Sequence, residues 1–260
     1  VKIAILDSGI DLIHQDIHAQ NDNIKDVRSW VDGKRGARDR RGGDQCGHGT
    51  HVAGLVLKVA PDADVYIAKV TNGTSLQDVD HIAEAIKYAA SEWKVDIINL
   101  SLGFPKSVYS IESVIRRIDC LIFAAASNGG GNENRAFPAT LDQVICMHST
   151  DGRGNPSLFN PNPLDYCDNF CILGEAVESA WPGETPDGNP NLRRKSGTSF
   201  ATPIATGVAA LVLEFARQNI KNNEQLERLR TFGGMKKVLR LMADKRSGSP
   251  FRYIAPWTLL

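Results

Sequence analysis

Residues 95–103 read VDIINLSLG and residues 120–127 read CLIFAAAS. Both runs are almost continuously apolar, too short for core helices, and end on a polar residue, so both read as strands. A strand without polar alternation is buried on both faces, as in a parallel sheet covered by helices. The pattern recurs in KIAILDSG (2–9), DVYIAKV (64–70) and QVICMHS (143–149). Between these lie helical stretches: HVAGLVLKVA (51–60), and Ile82, Ala85, Ile86, Ala89 and Trp93 at helical spacing. The expected fold class is therefore α/β, three-layer, with a mostly parallel central sheet and helices on both faces. Such sheets bind ligands at the carboxyl ends of their strands. Asp7, Ser101 and Asn128 stand there, after AIL, INL and AAAS.

The chain has 260 residues, 42% apolar and 23% charged, which is ordinary for a globular protein. Its 30 cationic and 30 anionic side chains cancel, so no overall field favours nucleic acid or an anionic membrane. No apolar run is expected to span a bilayer. Val1 opens inside a strand with no lead-in, so the chain reads as a domain cut from a longer parent, whose other domains are expected partners. Five cysteines without paired spacing point toward a reducing, intracellular compartment. Cys167 and Cys171 alone do not make a zinc site, and no metal or cofactor is expected.

One domain is expected over 1–260, with a core over about 1–217 and a charged helical appendage over 218–260. Residues 149–195 are rich in Gly, Pro, Asn and Asp and read as long surface loops. The tail reads as a short helix, a Gly-Gly break and a second, basic helix with a solvated face.

Residues 195–207, KSGTSFATPIATG, place a tight turn before the buried helical run Ala205–Ala216. Pro203 is read in the first helical turn, where a missing N–H costs little. Ser199 then sits near a helix N-terminus, where free N–H groups favour negative charge. Alone it would be an ordinary N-cap. Three further segments stand beside it: ILDSGID with Asp7, GHGTHVAG with His48 between glycines, and AAASNGGGN with Asn128. A nucleophilic serine needs a base, a carboxylate to orient the base, and a donor aimed at the developing oxyanion. These residues offer one of each. His48 and His51 are three apart with no intervening Glu, so they do not form the helical zinc motif, and His51 reads as structural.

With DSGID, HGTHVAG, NLSLG, AAASN and SGTSFATP in this order, the sequence resembles the subtilisin-like serine proteases (subtilases) from Val1 to about Leu213. The Asp, His, Ser chain order is the known order of that family. The resemblance implies a serine endopeptidase in which Asp7 orients, His48 is the general base and Ser199 the nucleophile. It implies Asn128 as the oxyanion-hole side chain, joined by the Ser199 backbone N–H. Ser101, Leu102 and Gly103 match the strand that pairs with an extended protein or peptide substrate, a form of strand addition.

Three departures from the family pattern matter. The helix after His48 runs straight into DVYIAKV, so the loop that binds calcium in many members is missing, although Asp16 aligns with one ligand. Phe104 replaces a common small residue and Ser127 a common glycine near the first specificity pocket. The preference of that pocket stays open, with an apolar or medium-sized side chain the working expectation. Cys46, two residues before His48, is expected to be buried and inert. The alternative function is a non-catalytic subtilase-fold module that binds peptides within a larger multidomain protein. A nucleotide-binding domain is disfavoured, because GHGTHVAG lacks the third glycine of a dinucleotide fingerprint.

Overall fold

Strand β1 (Lys2–Asp7) carries the logic of the whole sheet. Ile3 and Ile5 enter the core on one face while Ala4 and Leu6 enter the core on the other, all fully buried. With apolar residues at both phases of a period-two strand, neither face can be left to water. The computed structural model describes residues 1–39, 41–73, 79–185, 187–244 and 249–259. After β1 come α1 (Gln15–His18), β2 (Ile24–Ser29), β3 (Ala37–Arg38), α2 (His48–Val59), β4 (Asp64–Lys69) and α3 (Asp80–Ser91). The middle of the chain forms β5 (Ile97–Leu100), α4 (Tyr109–Ile115), β6 (Leu121–Ala125), β7 (Ile145–Thr150) and β8 (Asn169–Leu173). A hairpin of β9 (Val177–Glu184) and β10 (Pro190–Lys195) precedes α5 (Thr198–Asn219). The chain closes with α6 (Asn223–Arg230), α7 (Phe232–Met242), β11 (Ala243–Asp244) and β12 (Phe251–Ile254).

Ten strands form one sheet in the order β11-β12-β8-β7-β6-β5-β1-β4-β2-β3. Its neighbours run parallel except at the two edges, where β3 and β11 pair antiparallel. Helices α2, α5 and α7 cover one face and α3 and α4 the other. This is the expected mostly parallel, three-layer α/β arrangement. Ile5 of β1 lies opposite Ile67 on one side and Asn99 on the other. In this parallel register, the strand ends that carry Asp7 and lead to Ser101 open on the same edge.

Several local readings change. Residues 149–195 are not simply surface loops: β8 is a buried strand of the main sheet, and β9 and β10 form a separate hairpin. The flanking Pro, Asn, Asp and Gly residues hide β8, and Pro182, Gly183 and Pro190 interrupt the alternation of the hairpin. Helix α5 begins at Thr198, so Pro203 lies inside it, in the second turn, and cannot donate to the Ser199 carbonyl. With 22 residues, α5 is long and apolar enough to cross a membrane. The sequence reading saw no such segment. Within the fold most of its residues are buried, the condition of a core helix.

The tail is also more deeply engaged than its charge suggests. Gly233 and Gly234 fall inside α7, and the break lies at Thr231, which caps α7 by accepting the Gly234 N–H. Met235, Leu239 and Met242 of α7 join the core shared with α2 and α5, and β12 pairs parallel with β8. The cations of α7 and β12 meet one carboxylate. Arg240 holds both oxygens of Asp168 at 2.8 and 2.7 Å, with Lys236 at 3.0 Å and Arg252 at 3.1 Å. Burial works against the charge of Asp168, but the bonds from Arg240 and Lys236 outweigh it and lower its pKa. Asp168→Asn is therefore expected to cost about 2 kcal/mol in urea unfolding at pH 7. The loss should shrink as pH falls below about 4, because the unfolded chain then protonates Asp168 while the folded parent does so only at lower pH, so the stabilisation drains away between the two. An unchanged midpoint would mean that the three cations are solvated rather than paired.

Candidate active site

His48 is the first residue of α2, and the turn before it is held from below. Asp44, only 7% exposed, accepts the N–H groups of Cys46 and Gly47 on Oδ1 at 3.1 and 2.8 Å. Ser8 Oγ donates to the same oxygen at 2.9 Å and itself accepts the Gly49 N–H. Oδ2 of Asp44 accepts both the Thr50 N–H and hydroxyl, at 2.8 and 2.6 Å. A single buried carboxylate thus ties the end of β1 to the start of α2. Sequence reasoning missed Asp44, whose only signal is an aspartate in a glycine-rich turn four residues before His48. Gly49 permits this approach, since a Cβ there would collide with the carbonyl of Gly9.

Across this junction His48 Nδ1 donates to Asp7 Oδ1 at 2.7 Å, and the same oxygen accepts the Ser8 N–H at 2.8 Å. Asp7 is 3% exposed and the His48 ring 23%, so the carboxylate is shielded while the ring reaches the surface. Burial opposes charge on the ring, but attraction and the hydrogen bond from Asp7 prevail. Asp44 adds to them, Lys195 subtracts, and the His48 pKa lies above its ordinary 6.5. His51 behaves oppositely. Burial pushes it down to about 4, and its neutral ring donates from Nε2 toward the carbonyls of Val177 and Arg193. It is structural, fastening α2 to the hairpin. Phe200 packs between the two rings, with centroids 5.2 Å from His48 and 4.7 Å from His51.

Ser199 is the second residue of α5, in the first turn, whose N–H groups have no partner within the helix. Asn128 is anchored from the same helix. Its Oδ1 accepts the Thr198 N–H at 2.8 Å and the Thr198 hydroxyl at 3.1 Å. A backbone N–H can only donate, so the atom facing it must be oxygen, and the Asn128 amide NH₂ is turned the other way. A Cβ placed on Gly197 would stand 3.2 Å from Asn128 Nδ2 and 3.3 Å from Ser199 Oγ. The two groups therefore converge on one small space that a larger residue at 197 would fill.

A cavity of about 420 Å³ is lined by all the expected catalytic and substrate-binding residues, Asp7, His48, Ser101, Leu102, Gly103, Ser127, Asn128 and Ser199, whereas Phe104, expected near the specificity pocket, is buried against Phe137 and does not line it. Cys46 lines it too, so it is less buried than expected. Asp7 and His48 are joined by a hydrogen bond, whereas His48 and Ser199 share the cavity wall without one, a common looseness in substrate-free sites. Ser127 holds φ +142°, a conformation that favours the glycine usual at this position. Behind the wall, buried Asn99 donates to Ser101 Oγ at 3.0 Å and accepts the Thr206 hydroxyl of α5 at 3.1 Å.

This arrangement has known counterparts. Residues 1–253 match the model of the Subtilase family. The chain is 35% identical over 228 residues to the Subtilisin-like protease het-Q2 of Podospora anserina, covering 79% of this chain and 61% of that protein. It is 32% identical over 239 residues to an intracellular serine protease of Paenibacillus polymyxa, covering 86% and 69%. The chain thus spans about six-tenths of the length of the first of these relatives. Among solved structures, a psychrophilic protease aligns with a TM-score of 0.76 at 27% identity, over 98% of this chain and 90% of its own. The protease domain of PatA shares the fold, with a TM-score of 0.77 at 23% identity over 99% and 93%. Family model, relatives and fold agree, and the chain belongs to the subtilase family.

Proposed function

We propose that the chain is a serine endopeptidase that cleaves extended peptides through an acyl-enzyme. The observation that carries this reading is the convergence of a buried carboxylate–imidazole pair, a helix-terminal serine and an anchored amide on one cavity. Asp7 holds the Nδ1–H tautomer of His48, which leaves Nε2 free to accept a proton. Ser199 Oγ attacks the scissile carbonyl carbon as its proton passes to His48 Nε2. The carbonyl π pair becomes an oxyanion, which takes hydrogen bonds from Asn128 Nδ2 and the Ser199 N–H. As the tetrahedral adduct collapses, the C–N bond breaks and the His48 proton goes to the leaving amine. Water then repeats the sequence, regenerating the serine and releasing the acid. Ser101, Leu102 and Gly103 provide the main-chain edge for the peptide.

The test is labelling by a fluorophosphonate probe, with Ser199→Ala as control. Labelling of the parent alone supports an activated serine. A folded parent that does not label favours the peptide-binding module. Replacing the amide should have a smaller, separate effect. Asn128→Ala is expected to lower kcat by about 10²–10³-fold with little change in KM, the range known for the corresponding donor of subtilisin. A loss under about tenfold would remove Asn128 from the oxyanion role.

A further inference from the structure

The carboxylate of Glu133 lies beside the site and takes no part in the mechanism above. The turn after Asn128 folds back on itself, closed by the Glu133 N–H to the Gly130 carbonyl at 3.1 Å. This lays Glu133 over Gly129, where a Cβ would collide with its carboxylate. Glu133 Oε2 accepts from Ser127 Oγ at 3.5 Å, and Ser127 lines the cavity. The lining also includes Gly103, Ala125 and Ala136, which are small and uncharged. Arg135 does not neutralise Glu133. Its guanidinium donates to Asn169 Oδ1, and its charge acts on buried His148 and Cys146. Among the described residues, Glu133 has no cationic partner. Lys195, whose charge reaches His48, lies 4.5 Å from the ring centre of Trp181.

We infer that Glu133 gives this site a preference for peptides carrying lysine or arginine at the position whose side chain passes over Ser127, on the acyl side of the scissile bond. This rests on the peptide-site reading above, and it replaces the apolar or medium-sized side chain expected from the wall residues alone. A long basic side chain can lay its methylenes along the small wall and bring its cation to the carboxylate. An apolar side chain of equal length leaves that carboxylate to water and gains only the wall. Glu133 is exposed, so the pair is a solvent-screened one, and the preference should be about fivefold at low ionic strength and weaker in salt.

The experiment uses the Ser199→Ala chain and two N-terminally labelled tetrapeptide amides that differ only in lysine or norleucine at the last residue. Fluorescence anisotropy is expected to give about fivefold tighter binding of the lysine peptide. That ratio should fall to about one in the Glu133→Gln background. Gly129→Ala, whose Cβ displaces the carboxylate, should reduce it as well. Equal binding of the two peptides, or a preference that survives Glu133→Gln, overturns the inference. Hydrolysis of the same sequences as coumarin amides by the unmutated chain is read separately. Selective binding without hydrolysis defeats the endopeptidase reading alone, hydrolysis without selectivity defeats this inference alone, and absence of binding by either peptide defeats both.

Discussion

Ser199→Ala is expected to lower kcat by about 10⁶-fold, the magnitude known from subtilisin itself, while leaving the unfolding free energy within about 0.5 kcal/mol of the parent's. The asymmetry follows from where the hydroxyl sits. Ser199 is the second residue of α5, and no hydrogen bond that holds this end of the helix uses its side chain. Thr198 carries that load, through its bonds to Asn128 and to the Ser127 carbonyl. Removing Oγ therefore deletes the proposed nucleophile without loosening its surroundings. Residual turnover should come from the oxyanion donors and from substrate positioning, which do not depend on Oγ. The measurement is kcat on a peptide substrate together with a urea melt. A variant that keeps more than about a tenth of the parent rate would end the assignment of Ser199 as nucleophile.

Asp7→Asn is expected to slow turnover by about 10⁴-fold, because an amide facing Nδ1 no longer imposes the tautomer that leaves Nε2 able to accept a proton. It should also change the pH profile in a defined direction. In the parent, burial is outweighed by Asp7, so the His48 pKa lies above 6.5. The base must be neutral, and kcat/KM should therefore fall as pH drops through a value above 6.5. Without the carboxylate, burial is left as the dominant influence on the ring, and the acid limb should move to lower pH. The same pair affects stability with the opposite dependence. A raised folded-state pKa stabilises the fold fully below 6.5, and that contribution disappears as pH rises through the folded value. Parent and variant melts should thus differ most on the acid side and converge as the solution becomes alkaline. A variant whose limb stays at the parent position would show that Asp7 does not set the charge of His48.

Much of this molecule was legible without coordinates because its central strands are buried twice. Ile3, Ala4, Ile5 and Leu6 cannot be anything but an interior strand, and the same holds for Leu121–Ala125. Short glycine-containing segments with polar residues then marked the strand ends that carry Asp7 and Asn128. The reading failed where turn residues crowd a short strand or where the signal is electrostatic. Strand β8 is five residues long among turns, and α7 hides Met235, Leu239 and Met242 among lysines and arginines whose partner lies in another part of the chain.

The sequence alone therefore determined the layers and the parallel sheet, since periodicity is a local property, and its motifs singled out the candidate side chains of the site. Only the tertiary structure decided their relations. It brought Asp44 under the His48 turn, Thr198 against the Asn128 oxygen, and Glu133 beside Ser127. Each of these is a contact between groups whose partner is chosen by the turn geometry or the packing of the elements that carry them. Hydrogen bonds and charge pairs act over a few ångströms of space, and no spacing along the chain encodes them.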